Sequence, residues 1–109
     1  MAPAPAHAKL PHMDLRDFQA RMRELYGAKD AARGRDATFM YLIEEVGELA
    51  EACREPGRHD LPGEFADVLA WLTSLANLHG IDLATAAAAK YPVLCPRCGT
   101  SPCVCATKP

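Results

Sequence analysis

The stretch Thr38-Phe39-Met40-Tyr41-Leu42-Ile43-Glu44-Glu45-Val46-Gly47-Glu48-Leu49-Ala50-Glu51-Ala52-Cys53-Arg54-Glu55 decides the fold class. Within it Phe39, Leu42, Ile43, Val46, Leu49, Ala50 and Cys53 share one face at about 100° per residue, the pattern of an amphipathic helix. Pro56-Gly57 ends that pattern. Helical geometry gathers Glu44, Glu45 and Glu48 within about 100° of arc beside the apolar face, with Glu45 nearest to it, next to Leu49.

Other helices extend the reading in both directions. Downstream, Asp60 or Leu61-Pro62 opens a third helix that runs through Trp71 and Leu78 to a stop at Gly80, and Pro62 is tolerable only in its first turn. Its wide apolar arc predicts the most buried helix. Upstream, Asp14 caps a first helix with apolar positions Leu15, Phe18, Met22 and Leu25, ending at Gly27. The small, charged segment from Lys29 to Arg35, with Gly34 at its centre, reads as a mobile loop, and Asp36 as the cap of the second helix. Asp82 caps a short Ala-rich fourth helix that Pro92 halts after Lys90-Tyr91. With no convincing strand, the expectation is an all-α, antiparallel bundle of about four helices over residues 13–92. A disordered Ala/Pro-rich tail over 1–12 precedes it, and an irregular Cys-rich tail over 93–109 follows.

Composition narrows the classes. A chain of 109 residues suits one small domain. Of its 54 hydrophobic residues 20 are alanines, so few large side chains remain for a core and self-association is expected. With 14 acids against 12 bases the formal charge is −2, which supplies no overall basic field for nucleic acid. No apolar run approaches the roughly 20 residues of a membrane span, and the N-terminus lacks the features of a secretory signal. Five cysteines form an odd set that does not read as a disulfide framework, so a reducing cytoplasm is the expected compartment.

The charge is unevenly spread. Six of the seven glutamates lie between Glu44 and Glu64. On the third helix Glu64 falls inside the arc of Val68, Trp71 and Leu75, and Asp67 at its border beside Leu78. A carboxylate centred in an apolar arc is desolvated unless it is protonated, paired or bound to a cation. If the second and third helices pack antiparallel, Glu45, Glu48, Glu64 and Asp67 face one another. Hard oxygen ligands of this kind suit Mg²⁺ or Mn²⁺ and point to phosphoryl or nucleotidyl hydrolysis. Glu44, Glu48, Glu51 and Glu55 also form a stripe at helical spacing, which is the ordinary pattern of a solvated face. Geometry alone leaves both readings open, and Glu51 and Glu55 fit the solvated one.

The run from Leu42 through Glu44-Glu45, Glu48 and Glu51, followed by Glu64-Phe65-Ala66-Asp67-Val68, closely resembles the signature of MazG-like nucleotide pyrophosphohydrolases, over roughly Leu15 to Tyr91. The resemblance implies an all-α bundle that hydrolyses a nucleoside triphosphate to the monophosphate and pyrophosphate with Mg²⁺. It makes Glu45, Glu48, Glu64 and Asp67 metal ligands, Glu44 a ligand or a base acting through water, and Lys90 a phosphate contact. Where family members often continue with Asn and Arg positions, this chain turns to Pro92 and cysteines. The family also assembles from helices shared between subunits, so Lys90 is a candidate for a neighbour's site.

Trp71 reads as core or as an aromatic that stacks on a base. Arg33 and Arg35 read as a solvated loop or as cations that reach triphosphate oxygens. Phe39 and Cys53 read as core. Cys95-Pro96-Arg97-Cys98 and Cys103-Val104-Cys105 place four thiols in eleven residues, a set suited to tetrahedral Zn²⁺, against the alternative of a disordered tail of free thiols. Two functions therefore stand side by side: a Mg²⁺-dependent nucleotide pyrophosphohydrolase, and a non-catalytic helical module whose zinc knuckle contacts protein or nucleic acid. The half-circumference apolar arc of the third helix further predicts a homo-oligomer, a dimer or tetramer.

Overall fold

Among the described residues three aspartates start three of the four α-helices, each by accepting a hydrogen bond from an otherwise unpaired backbone N–H. In the computed structural model, which describes residues 12–108, Asp14 caps α1 (Leu15–Arg33) through the N–H of Asp17, and the Asp17 side chain closes a capping box. Asp60 caps α3 (Leu61–Leu78) through Gly63, with Pro62 in the first turn, and Asp82 caps α4 (Leu83–Lys90) through Thr85. Apart from His12, the expected N-terminal tail lies outside the described residues.

The expected loop from Lys29 to Arg35 is instead helix. α1 passes through Gly27 and continues to Arg33, and α2 (Arg35–Arg54) begins after a single residue. Ala28, Ala31 and Ala32 favour the extra turns, while Asp30 is buried at 2 % exposure and paired with Arg33. Gly34, at φ +90°, makes the break: its N–H donates to the carbonyl of Asp30 and its own carbonyl accepts from Thr38. Asp36 therefore lies in the first turn of α2, where its charge still suits the helix dipole, and does not cap it.

α3 lies between α1 and α2 and contacts both, while α4 packs on α1. A short 3-10 turn, Pro56–Arg58, links α2 to α3. Gln19, 1 % exposed, ties three elements together. Its Nε2 donates to Asn77 Oδ1 and to the carbonyl of Ile81, its Oε1 accepts from the N–H of Leu83, and Asn77 Nδ2 donates to the Gln19 carbonyl. Arg16 adds an exposed ion pair to Asp82 at 2.9 Å, which holds the Asp82 carboxyl well below the usual range.

The core is thin. Its buried apolar members are Met22, Leu42, Ala52 and Ala76, beside Thr38, Thr73 and Ser74. On α2 the stripe turned inward is Thr38, Leu42 and Ala52 with half-buried Glu45 and Leu49. The neighbouring stripe, Phe39, Ile43, Val46, Ala50 and Cys53, is exposed, so Phe39 and Cys53 are not core. One neighbouring helix covers only a narrow arc, and the apolar arc of α2 is wider than α3 covers. α3 is likewise less enclosed than its composition predicts, with Phe65 and Leu72 exposed. Among the described residues no helix is long and apolar enough to cross a membrane.

Candidate active site

The short link at Pro56–Arg58 turns α3 back along α2. Phe39 and Met40 near the start of α2 consequently share a groove with Leu75 and His79 at the end of α3, while Glu45 and Glu48 meet Glu64. One carboxylate oxygen from each of Glu45, Glu48 and Glu64 lies within 4.8 Å of the others. Glu45 and Glu64 are half-buried and Glu48 is exposed. Glu45 Oε2 and Glu64 Oε2 are both buried without a hydrogen-bond partner.

These orphan oxygens set the electrostatics. Burial, and then the charge of Glu48, push the Glu45 carboxyl above the ordinary range, with Asp67 and Glu64 adding to the effect. Glu64 is raised for the same reasons, by burial first and then by Glu48 and Asp67. A cluster that favours protons this way equally favours a cation, and carboxylate oxygens suit a hard divalent ion. The donor set therefore fits Mg²⁺ or Mn²⁺.

Asp67 is exposed and borders a cavity of about 350 Å³ between α1 and α3. Tyr26, Lys29, Asp30, Arg33 and Trp71 also line it. Trp71 stacks on Tyr41, with ring centroids 5.0 Å apart and planes 25° apart, and the Arg33 guanidinium lies 4.7 Å from the Trp71 centroid. Arg33 Nη1 also reaches Asp30 Oδ1 at 2.8 Å, leaving Asp30 Oδ2 buried and unpartnered.

Not every sequence candidate joins this cluster: Asp67 acts on Glu45 and Glu64 through its charge but is not among the three acids whose oxygens converge. Glu44 lies on another side of α2, in a shallow depression with Ala37, Met40 and Tyr41. Arg35 opens α2 and lines the groove with Phe39, Leu75 and His79, ten residues and about 15 Å of helix away from Glu45. Lys90 is exposed in the last turn of α4 and makes no ion pair among the described residues. Lys29, Asp30 and Tyr26 were missed because their segment read as a helix end and a loop. The signal present in the sequence was the spacing of Tyr26, Lys29, Asp30 and Arg33, which puts them on one helical face.

In the tail the thiols of Cys95, Cys98, Cys103 and Cys105 also converge within 4.8 Å. The Thr100 hydroxyl, followed by the backbone N–H groups of Val104 and Thr100, pulls the Cys98 thiol down to about 5.

The sequence profile of the MazG nucleotide pyrophosphohydrolase domain matches residues 33–98, which span α2, α3 and α4. No curated protein matches the chain.

Proposed function

Since the chain belongs to the MazG nucleotide pyrophosphohydrolase domain family, we propose that it hydrolyses nucleoside triphosphates between the α and β phosphates in a Mg²⁺-dependent reaction. The products are the nucleoside monophosphate and pyrophosphate. One observation carries this reading: Glu45 and Glu64, each with a buried, unpartnered Oε2, converge with Glu48, and once ionised such a set is relieved by a cation among them.

Glu45, Glu48, Glu64 and Asp67 would hold the ion. Bound there, Mg²⁺ would offset charge on the phosphoryl oxygens and acidify the attacking water. The protein does the rest through position. Asp67 joins the acid cluster to the cavity, so a triphosphate reaching toward the acids passes Lys29 and Arg33, whose charges offset those of its oxygens. Trp71 and Tyr26 line the same cavity and offer aromatic faces to the base. Glu44, on its other side of α2, stands outside this set, as does Arg35.

The active form in this reading is a homo-oligomer, a dimer or a dimer of dimers, in a reducing, cytoplasmic setting that keeps the five cysteines out of disulfides. The exposed stripe of Phe39, Ile43, Val46, Ala50 and Cys53 continues along the helix that carries Glu45 and Glu48. A second copy covering it would complete the bundle and bring a foreign Lys90 within reach of a neighbour's triphosphate.

Purified protein incubated with Mg²⁺ and a panel of nucleoside triphosphates, with pyrophosphate resolved from orthophosphate, tests the reaction. Monophosphate and pyrophosphate in equal amounts are expected. Orthophosphate as the sole inorganic product, or no turnover of any triphosphate, would overturn the reading.

A further inference from the structure

Residues 91–108 contain no helix and no strand, and their apolar side chains form no core: Val93 is 91 % exposed, Val104 73 %, and Tyr91 and Leu94 about half. A segment of this kind does not bury enough surface to offset its own ordering, so a definite conformation needs a staple. Yet its backbone is specifically turned. The N–H of Gly99 donates to the carbonyl of Cys95 at 2.8 Å, the N–H of Cys95 donates to the carbonyl of Thr100 at 3.0 Å, and Gly99 sits at φ +70°, where a Cβ would be strained.

These turns aim four sulfurs at one point. Cys95 Sγ lies 4.0 Å from Cys105 Sγ, and Cys98 Sγ lies 3.9 Å from Cys103 Sγ; all four fall within 4.8 Å of one another. A disulfide would bring one pair to about 2.0 Å. A tetrahedron of Zn–S bonds, each about 2.3 Å, sets its sulfurs about 3.8 Å apart. The two pairs at 3.9 and 4.0 Å match that separation, and with all four sulfurs inside 4.8 Å the set is compact enough to surround one ion. The surroundings agree: the N–H of Cys105 donates to Cys103 Sγ at 3.3 Å, and the Thr100 hydroxyl lies 3.0 Å from Cys98 Sγ, contacts that orient and stabilise thiolate ligands.

We propose that Cys95, Cys98, Cys103 and Cys105 bind one structural Zn²⁺ that fixes the fold of the C-terminal segment. All four positions are taken by protein sulfur, so the site is closed and holds no water for catalysis. Soft thiolates in a tetrahedral set select zinc over the hard ions that suit Glu45, Glu48 and Glu64, so the two metal sites of the chain take different ions. The match to the family profile ends at Cys98, so the second pair of ligands lies beyond it. The proposal does not depend on the hydrolytic reading, because no acid of the cluster takes part.

The test is reconstitution of the full chain with one equivalent of Zn²⁺ under reducing conditions. Gel filtration and elemental analysis follow, alongside thiol counting in a Cys53→Ser background. One zinc per chain is expected, with no thiol reactive before a chelating or mercurial agent strips the metal and four reactive afterwards. Cys98→Ser combined with Cys103→Ser should abolish retention, whereas Glu64→Gln should keep it. No retained zinc with four freely reactive thiols would overturn the proposal. Retention by the double cysteine variant, or loss in Glu64→Gln, would place the ion elsewhere and overturn it equally. Stoichiometric iron in protein purified without added metal would overturn the choice of ion.

Discussion

The guanidinium of Arg33 lies 4.7 Å from the centroid of the Trp71 ring while its Nη1 holds Asp30 at 2.8 Å. The ion pair takes one edge of the fork and the ring one face, so the cation is held at the cavity by contacts of two kinds. A lysine keeps the charge but neither the planar face nor the fork.

Arg33→Lys should therefore raise KM for a triphosphate by about tenfold with a smaller change in kcat, since charge remains but its position is lost. Steady-state kinetics of the variant against the parent decide this, and an unchanged KM would show that Arg33 does not meet the substrate.

Removing one charge from the acid cluster should stop the chemistry without unfolding the bundle. Glu48→Gln or Asp67→Asn is expected to lower turnover by about 10²-fold or more, the size usual for loss of a group that holds a catalytic cation. Both side chains are exposed, so far-ultraviolet circular dichroism should match the parent. Parent-like turnover in both variants would remove these residues from the site.

Stability should respond to pH and to cations in a linked way. The Glu45 and Glu64 carboxyls are raised by burial and by neighbouring charge, so the folded chain holds their protons more tightly than the unfolded chain does. The stabilisation this brings is complete below the ordinary carboxylate range, about pH 4, and is lost as pH rises through the elevated values. Asp82, lowered chiefly by Arg16, acts oppositely: its contribution exists above the ordinary range and fades on acidification. Metal-free protein should thus melt at a higher temperature near pH 5 than near pH 8, and millimolar Mg²⁺ should narrow the difference. Thermal melts across pH with and without Mg²⁺ measure it.

Gln19→Leu should be among the most destabilising single changes. It removes the Gln19 partner of the Leu83 N–H and of the Ile81 carbonyl, and leaves Asn77 Oδ1 with Arg23 as its donor, at a buried junction of α1, α3 and α4. The expected cost is about 2–4 kcal/mol, a fall in Tm of about 10 °C or more. Calorimetry gives the value directly.

Placing a charge on the open stripe of α2 should dissolve the proposed assembly. Ile43→Asp and Val46→Asp, at positions 50 % and 43 % exposed in the single chain, should shift sedimentation equilibrium at micromolar concentration to a monomer. A monomeric parent protein with full activity would show that four helices suffice by themselves.

Much of this architecture was legible in the sequence because it is written in local chemistry. Asp14, Asp60 and Asp82 cap helices with their own side chains, Pro62 suits only a first turn, and Gly80 takes φ +67° where α3 stops. Glu64 announced itself by lying inside an apolar arc, and it is one of the two acids of the cluster with an orphan oxygen. What failed depended on partners distant in sequence. Lys29 to Arg33 looked like a loop because its charges give no apolar period, whereas its order comes from burying Asp30 and laying Arg33 on Trp71. Phe39 and Leu42 are equally apolar, and periodicity does not say which of two adjacent stripes α3 will cover.

Gly34 does more than separate two helices. One residue ends α1 and begins α2, so the chain has no slack between them, and an insertion there would displace the end of α1 from the start of α2. Arg33 immediately precedes this joint, and Tyr41 lies two turns beyond it. The register between the cation and the aromatic pair is thus set covalently, so natural variation in the length of the link should be far less tolerated here than at the Pro56–Arg58 turn on the other side of α2.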